Sequence, residues 1–253
     1  MNSVLKEILS TGYTSTASGE KTTITPHSIS EIEGTFLREL VLKYKLKSSL
    51  EIGLAYGVST LFICDALCQG HRNARHTVID PNQTTEWKGI GIHNLQKAGF
   101  RNMVELLEMP SHKAMPKLLE QKRRFDFALI DGCHTFDYAP VDFFYIDKLL
   151  EVGGIVVFDD ADFPSIRKVC RYICKNFPYS VIILDKEEKY LKLSGKRKLM
   201  KKILRVPKAE RTAKYFLKPE FFESDPELRL VGSMIAFQKK SDEQINSEVH
   251  HEF

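Results

Sequence analysis

The feature that most constrains this chain is a repeated alternation of short apolar runs with helical patterns. The runs are "SLEIG" (49–53), "HTVID" (76–80), "MVELLEM" (103–109), "FDFALID" (125–131) and "GGIVVFDD" (153–160). They are continuous rather than alternating in polarity, as strands covered on both faces must be. Helical patterns precede them at 28–46 and separate them: one running to Leu67, then near 86–98, 112–122 and 138–150, with a last one at 164–176. Parallel strands joined by crossover helices satisfy this order, so the reading is an α/β doubly wound domain. The runs "YSVIILD" (179–185) and "LRLVGSMIAFQKK" (228–240) lack a helix of ordinary length between them, which points to a hairpin with a long insertion. Helix 28–46 is expected to bury Ile32, Phe36, Leu40 and Leu42 behind an N-cap at Ser28 or Ser30. The ends, 1–20 and 241–253, are polar enough to be expected mobile.

With 253 residues, 43% of them hydrophobic, the chain can bury one large core. No apolar stretch reaches the ~20 residues that span a bilayer, and the N-terminus lacks a signal-like segment, so a cytoplasmic location is expected. Five cysteines fit a reducing compartment. Cys64 with Cys68, and Cys170 with Cys174, stand one helical turn apart; two such pairs can hold a metal, but their apolar-periodic helices favour core positions. The net charge of +4 conceals a segment, Lys186–Lys218, with 13 Lys/Arg against 3 Asp/Glu. The remainder is acidic.

In an open parallel sheet a ligand binds beyond the carboxyl ends of the strands, where strand order reverses. "LEIGLAYGVSTL" (50–61) supplies such an edge: Gly53 and Gly57 allow close backbone approach, and a helix starting near Val58–Ser59 aims its N–H groups at the same space. The plain alternative is a tight strand-to-helix connection without a ligand. Dinucleotide folds use G-x-G-x-x-G, whereas this turn is G-x-x-x-G preceded by Glu51, which disfavours a nicotinamide-dependent oxidoreductase. Asp80, ending the next strand, is placed to accept the hydroxyls of a ribose.

Together "LEIGLAYGVSTL", "HTVIDP", "MPSHKAMPKL", "FDFALIDGCHTFDY" and "LLEVGGIVVFDD" resemble the class I S-adenosylmethionine-dependent methyltransferases. More narrowly, they resemble the small-molecule O-methyltransferase group of the catechol, macrocin and cephalosporin-cluster type, over roughly residues 28–184. The resemblance implies a seven-stranded, mostly parallel sheet with an antiparallel last strand. The domain reading is an N-terminal extension (1–27), a methyltransferase domain (28–240) with a basic insertion or lid at about 186–226, and a polar tail (241–253). By position, Glu51, Gly53, Ala55 and Gly57 surround the methionine part of the cofactor with Ser59 at the helix start, Asp80 holds the ribose, and Ser111 borders the adenine. Met109 stands where the family often has glycine.

Asp131 ends the fourth apolar run, and Asp159 and Asp160 end the fifth. Neighbouring strands lie about 4.8 Å apart, so these side chains can converge, and carboxylates packed together need a cation or a proton. Oxygen ligands with open positions suit Mg²⁺, and in metal-dependent members of the resembled group carboxylates at these positions bind a divalent ion that orients a substrate hydroxyl. Asp131 is thus expected at the cofactor, the metal and the reacting centre. His134 is placed to take the substrate proton or to complete the metal shell. Asp159 and Asp160 can also be mere caps of the following loop, and Asp142 and Asp147 read as a solvated helix face.

The expected reaction is methylation of a hydroxylated small molecule by S-adenosylmethionine. The basic segment interleaves its charges with Leu199, Met200, Ile203, Leu204, Tyr215 and Phe216, so part of it reads as a basic amphipathic helix; a solvated face is the plain alternative, and its position between the last two strands suggests a lid beside the pocket. An alternative is a catalytically silent module whose basic segment engages RNA or another acidic partner. A homo-oligomer is compatible with either reading.

Overall fold

The structure is a computed structural model and describes residues 1–183 and 223–243. The chain begins with α1 (Ser3–Thr11), the hairpin β1 (Tyr13–Ser15) and β2 (Lys21–Thr23), and α2 (Glu31–Tyr44). Strands and helices then alternate: β3 (Ser48–Ile52), α3 (Val58–Gly70), β4 (Arg75–Ile79), α4 (Ile90–Lys97), β5 (Val104–Leu107) and α5 (Ser111–Glu120). The second half follows with β6 (Phe125–Ile130), α6 (Tyr138–Leu149), β7 (Leu150–Phe158), α7 (Pro164–Asn176), β8 (Tyr179–Ile182) and β9 (Ile235–Lys239).

Seven strands form one sheet in the order β5-β4-β3-β6-β7-β9-β8. β3 is parallel to both β4 and β6, whereas β9 is antiparallel to β7 and β8. The expected antiparallel last strand and the hairpin with an insertion are therefore both present. The chain winds outward from β3 to β5 and then returns to β6 on the other side of β3. The loops leaving β3 and β6 consequently diverge, and a crevice opens between them at the carboxyl edge.

Alternate residues explain the continuous apolar runs. Along β6, Phe127 and Leu129 enter one buried cluster with α1, α2 and α3, while Ala128 and Ile130 enter a second with α5, α6 and α7. Both faces are covered, so the consecutive positions Phe127 to Ile130 are all apolar.

α2 starts at Ser30, whose hydroxyl and Glu33 form a reciprocal capping box. Its buried stripe is Gly34, Leu37, Leu40 and Val41, and Ile32 is 83% exposed. At 100° per residue, Ile32 lies about 200° from Gly34 and so faces away from α3. The N-terminal residues also differ from expectation. α1 buries Val4, Leu5 and Ile8, and the Asn2 amide donates to the Ala98 carbonyl at 3.1 Å. Polarity averaged over residues 1–20 hides this three-residue apolar stripe. Thr14 and Asn94 bond across the hairpin and α4, which ties β1 down.

Cys64 and Cys170 are buried in the two clusters, where burial pushes both thiols up, whereas Cys174 is half-buried and Cys68 is exposed, so the expected core position holds for one cysteine of each pair. The basic insertion with its apolar side chains, and residues beyond 243, lie outside the described residues. Among those described, no helix is long and apolar enough to cross a membrane.

Candidate active site at the switch between β3 and β6

A cavity of about 560 Å³ opens at this crevice. Each residue anticipated from the sequence lines it except Glu51.

The turn after β3 forms one wall. At Gly53 the backbone has φ +99°, and a Cβ there would fall 2.1 Å from the Asp131 carbonyl oxygen, so only glycine lets the β3 and β6 loops meet. Gly57 is the N-cap of α3 and adopts a left-handed conformation with no side-chain cap. The first N–H groups of α3 therefore face the cavity beside Val58 and Ser59 without a capping side chain. Asp80, 3% exposed, accepts from the Leu54 and Ala55 amides at 3.0 and 2.9 Å and from Asn82 at 2.8 Å. Those bonds hold the turn, and the carboxylate still lines the cavity with unused lone pairs. Ser111 borders the opposite end, where Pro110 precedes it; Met109 packs into the core instead.

Glu51 stands behind this wall. Its buried carboxylate accepts from Ser59 Oγ, from Thr60 Oγ1 at 2.7 Å and from His76 Nε2 at 2.7 Å. His76 in turn pairs with Ser49 at 2.7 Å. Glu51 thus ties β3, β4 and the first turn of α3 together beneath the cavity. β pleating sends Leu50 and Ile52 into the α5–α7 cluster and Glu51 to the opposite face, against α3.

The other wall carries charge. Asp131 follows β6, and Asp159 and Asp160 follow β7. Burial, with Asp159, Glu51 and Asp160 nearby, holds the Asp131 carboxyl well above the usual range. Burial pushes Asp159 up to about 7, and the two carboxyls are hydrogen-bonded to one another. Asp160 adopts φ +49°, which turns its side chain away from Asp159 and toward His134. There its Oδ2 lies 3.2 Å from His134 Nε2. Donor atoms of Asp131, His134 and Asp160 all lie within 4.8 Å of one another. All three anticipated aspartates line this wall, and the donors that come within 4.8 Å of one another are two carboxylates and an imidazole.

Several lining groups carried no signal in the sequence. Pro26 to Ile29 and Glu33 come from the N-terminal segment, and Trp87 from the loop after β4. His27, Tyr56 and Trp87 form an edge-to-face cluster with centroid distances of 5.2–6.5 Å. Only the fold brings them to one rim. Asp142 is also not on a solvated face: it is 1% exposed on α6. Among the described residues, no Lys or Arg lines the cavity.

Residues 50–161 match a family described as a methyltransferase domain. That segment runs from β3 to just past the end of β7 and carries both walls of the cavity, so the likeness to a methyltransferase domain falls on the site itself. Among its relatives, the tapetum-specific methyltransferase 1 of Arabidopsis thaliana is 30% identical over 132 residues, 51% of this chain and 52% of that protein. A caffeoyl-CoA O-methyltransferase of Mesembryanthemum crystallinum is 29% identical over 153 residues, 55% of this chain and 57% of that protein. The chain thus spans about half the length of the curated relatives it matches. In fold it is similar to an O-methyltransferase from Bacillus cereus solved with S-adenosylhomocysteine, with a TM-score of 0.59 and 22% identity over 73% of this chain and 84% of that one.

Proposed function

We propose that this protein transfers a methyl group from S-adenosylmethionine to a hydroxyl oxygen of a small-molecule acceptor, with a divalent cation held at the acidic wall. One observation carries the reading: the glycine turn with Asp80, and the cluster of Asp131, His134 and Asp160, face each other across a single cavity.

The residues present fit the cofactor. The α3 N–H groups suit a carboxylate, Asp80 suits vicinal ribose hydroxyls, and a cavity lined by acids and by no described Lys or Arg suits a cationic sulfonium and ammonium. When bound, S-adenosylmethionine supplies an electrophilic methyl group. The protein's contribution is to hold the acceptor oxygen in line with it. As that oxygen gains its bond to the methyl carbon, the bond from that carbon to sulfur breaks with its electron pair left on sulfur, and the O–H proton passes to the acidic wall. Asp131 and Asp160 would hold the cation, which lowers the cost of that proton loss.

Isothermal titration with S-adenosylhomocysteine tests the cofactor assignment. The expected result is saturable binding, weakened in Asp80→Ala by a factor on the order of 10–100, the loss of one or two hydrogen bonds to a charged group. Folded protein that gives no heat at millimolar ligand would overturn the reading.

A further inference from the structure

Inside the turn after β3, a residue with a Cβ stands in a conformation that favours glycine. Resting on the function just proposed, we infer that Gln83 and Asn94 are positioning residues for S-adenosylmethionine: two buried amides that hold the Ala55–Tyr56 bend in its binding shape before the ligand arrives.

The bend is closed by the Gly57 N–H, which donates to the Leu54 carbonyl at 2.6 Å, and Ala55 within it adopts φ +44°. Residues with a Cβ rarely occupy that region, and they stay there only where the surroundings over-determine the backbone. Side chains from β4 and α4 do this from both sides. On the amide side, Asp80 accepts from the Leu54 and Ala55 N–H groups. On the carbonyl side, Gln83 Nε2 donates to the Ala55 carbonyl at 3.0 Å and Asn94 Nδ2 to the Tyr56 carbonyl at 2.9 Å. Gln83 is fully buried and Asn94 is 2% exposed, so water offers these carbonyls no substitute donor. Both amides are themselves oriented. Gln83 Oε1 accepts from the Gly91 N–H at 3.0 Å in the first turn of α4, which leaves its NH₂ for the bend, and Asn94 Nδ2 also donates to Thr14 Oγ1 of β1 at 2.8 Å. α4 reaches the bend because Gly91 lacks a side chain: a Cβ there would fall 2.6 Å from the Ala55 carbonyl oxygen. Ala55, Gly57 and Asp80 line the cavity, whereas Gln83 and Asn94 do not. The two amides therefore act on a ligand through the bend, whose shape sets where the first N–H groups of α3 stand relative to Asp80.

Calorimetric and stopped-flow binding of S-adenosylhomocysteine test this in the full-length protein, in Gln83→Met and Asn94→Leu, and in each combined with Ala55→Gly. Removing either amide should weaken affinity by about 5–20-fold, because only a fraction of the free protein then holds the competent bend. That loss should fall on the association rate and leave dissociation within about two-fold of the parent. Glycine takes a positive φ without a Cβ penalty, so in the Ala55→Gly background the same removal should cost only about 2–4-fold. Unchanged affinity in the folded variants, a loss carried by faster dissociation, or an equal loss in both backgrounds would overturn the inference and leave the amides as packing groups. Where a variant does not fold, hydrogen exchange in the unmodified, ligand-free protein decides. The Leu54 and Ala55 amides should exchange as slowly as those of the core strands, and protection that appears only on adding S-adenosylhomocysteine would overturn the inference. Absence of S-adenosylhomocysteine binding by the unmodified protein would instead count against the proposed function itself.

Discussion

Two buried carboxylates show how environment assigns different work to one chemical group. Glu51 has three donors and none to spare; removing it strands His76, Ser59 and Thr60 in the core. Glu51→Ala should therefore cost about 3–5 kcal/mol in urea denaturation. Where the variant is still folded, its S-adenosylhomocysteine affinity should stay within a few-fold of the parent, because the side chain does not reach the cavity. Asp142 is the opposite case. Its Oδ1 has no partner, burial pushes its carboxyl up to about 6, and a bond from Ser111 only partly offsets this. The folded state thus keeps a proton that the unfolded chain has already released between about pH 4 and pH 6. Stability supplied by the protonated form is lost as pH rises through that window, by about 3 kcal/mol in all at 1.36 kcal/mol per pH unit. Asp142→Asn keeps an acceptor for Ser111 and carries no charge. It should exceed the parent in stability at pH 8 by up to about 2–3 kcal/mol, with the advantage gone by pH 4. Equal stability curves across that range would show that the carboxyl finds a partner in solution.

At the scale of elements, the N-terminal helix matters more than its composition suggests. α1 closes the cluster formed by α2 and α3, and Leu5 is fully buried there. Leu5→Ala should destabilise the whole domain by about 2–5 kcal/mol in a single cooperative transition. A mobile appendage would instead give no change in the denaturation midpoint. The segment that follows α1 supplies Pro26 to Ile29 to the cavity rim, so loosening α1 is also expected to weaken ligand binding. The β3-α3 unit behaves differently. Its turn is shaped locally by Gly53 and Gly57, and it is braced from below by Glu51 and from the side by Asp80.

For the molecule as a whole, a cofactor gripped by both sides of the switch point binds only the folded state. At a concentration 100 times its dissociation constant, S-adenosylhomocysteine should stabilise the fold by about 2.7 kcal/mol. In a chain of this size that raises the melting temperature by roughly 5–10 °C. NAD at the same concentration should leave the midpoint unmoved, as the G-x-x-x-G turn lacks the dinucleotide spacing. The opposite pattern, a shift with NAD alone, would reassign the cavity.

The succession of strands and helices along the chain, the glycine turn and the aspartates at strand ends were readable from the sequence because each is a local pattern. A strand buried on both faces is apolar at most positions, a chain that doubles back near another backbone must use glycine, and a polar side chain ending such a strand lies at the sheet edge. Direction was not readable. Whether Glu51 faces the cavity or the core, whether Asp142 is wet or dry, and which side of α2 carries its apolar stripe depend on what another element places opposite. The same holds for the acidic wall, where the sequence brought three aspartates to one edge. Only the left-handed turn at Asp160 and the neighbouring His134 loop decided that an imidazole would converge with two of those carboxylates. Side-chain convergence arises from contacts between segments far apart in the chain, and no periodicity within one segment encodes it.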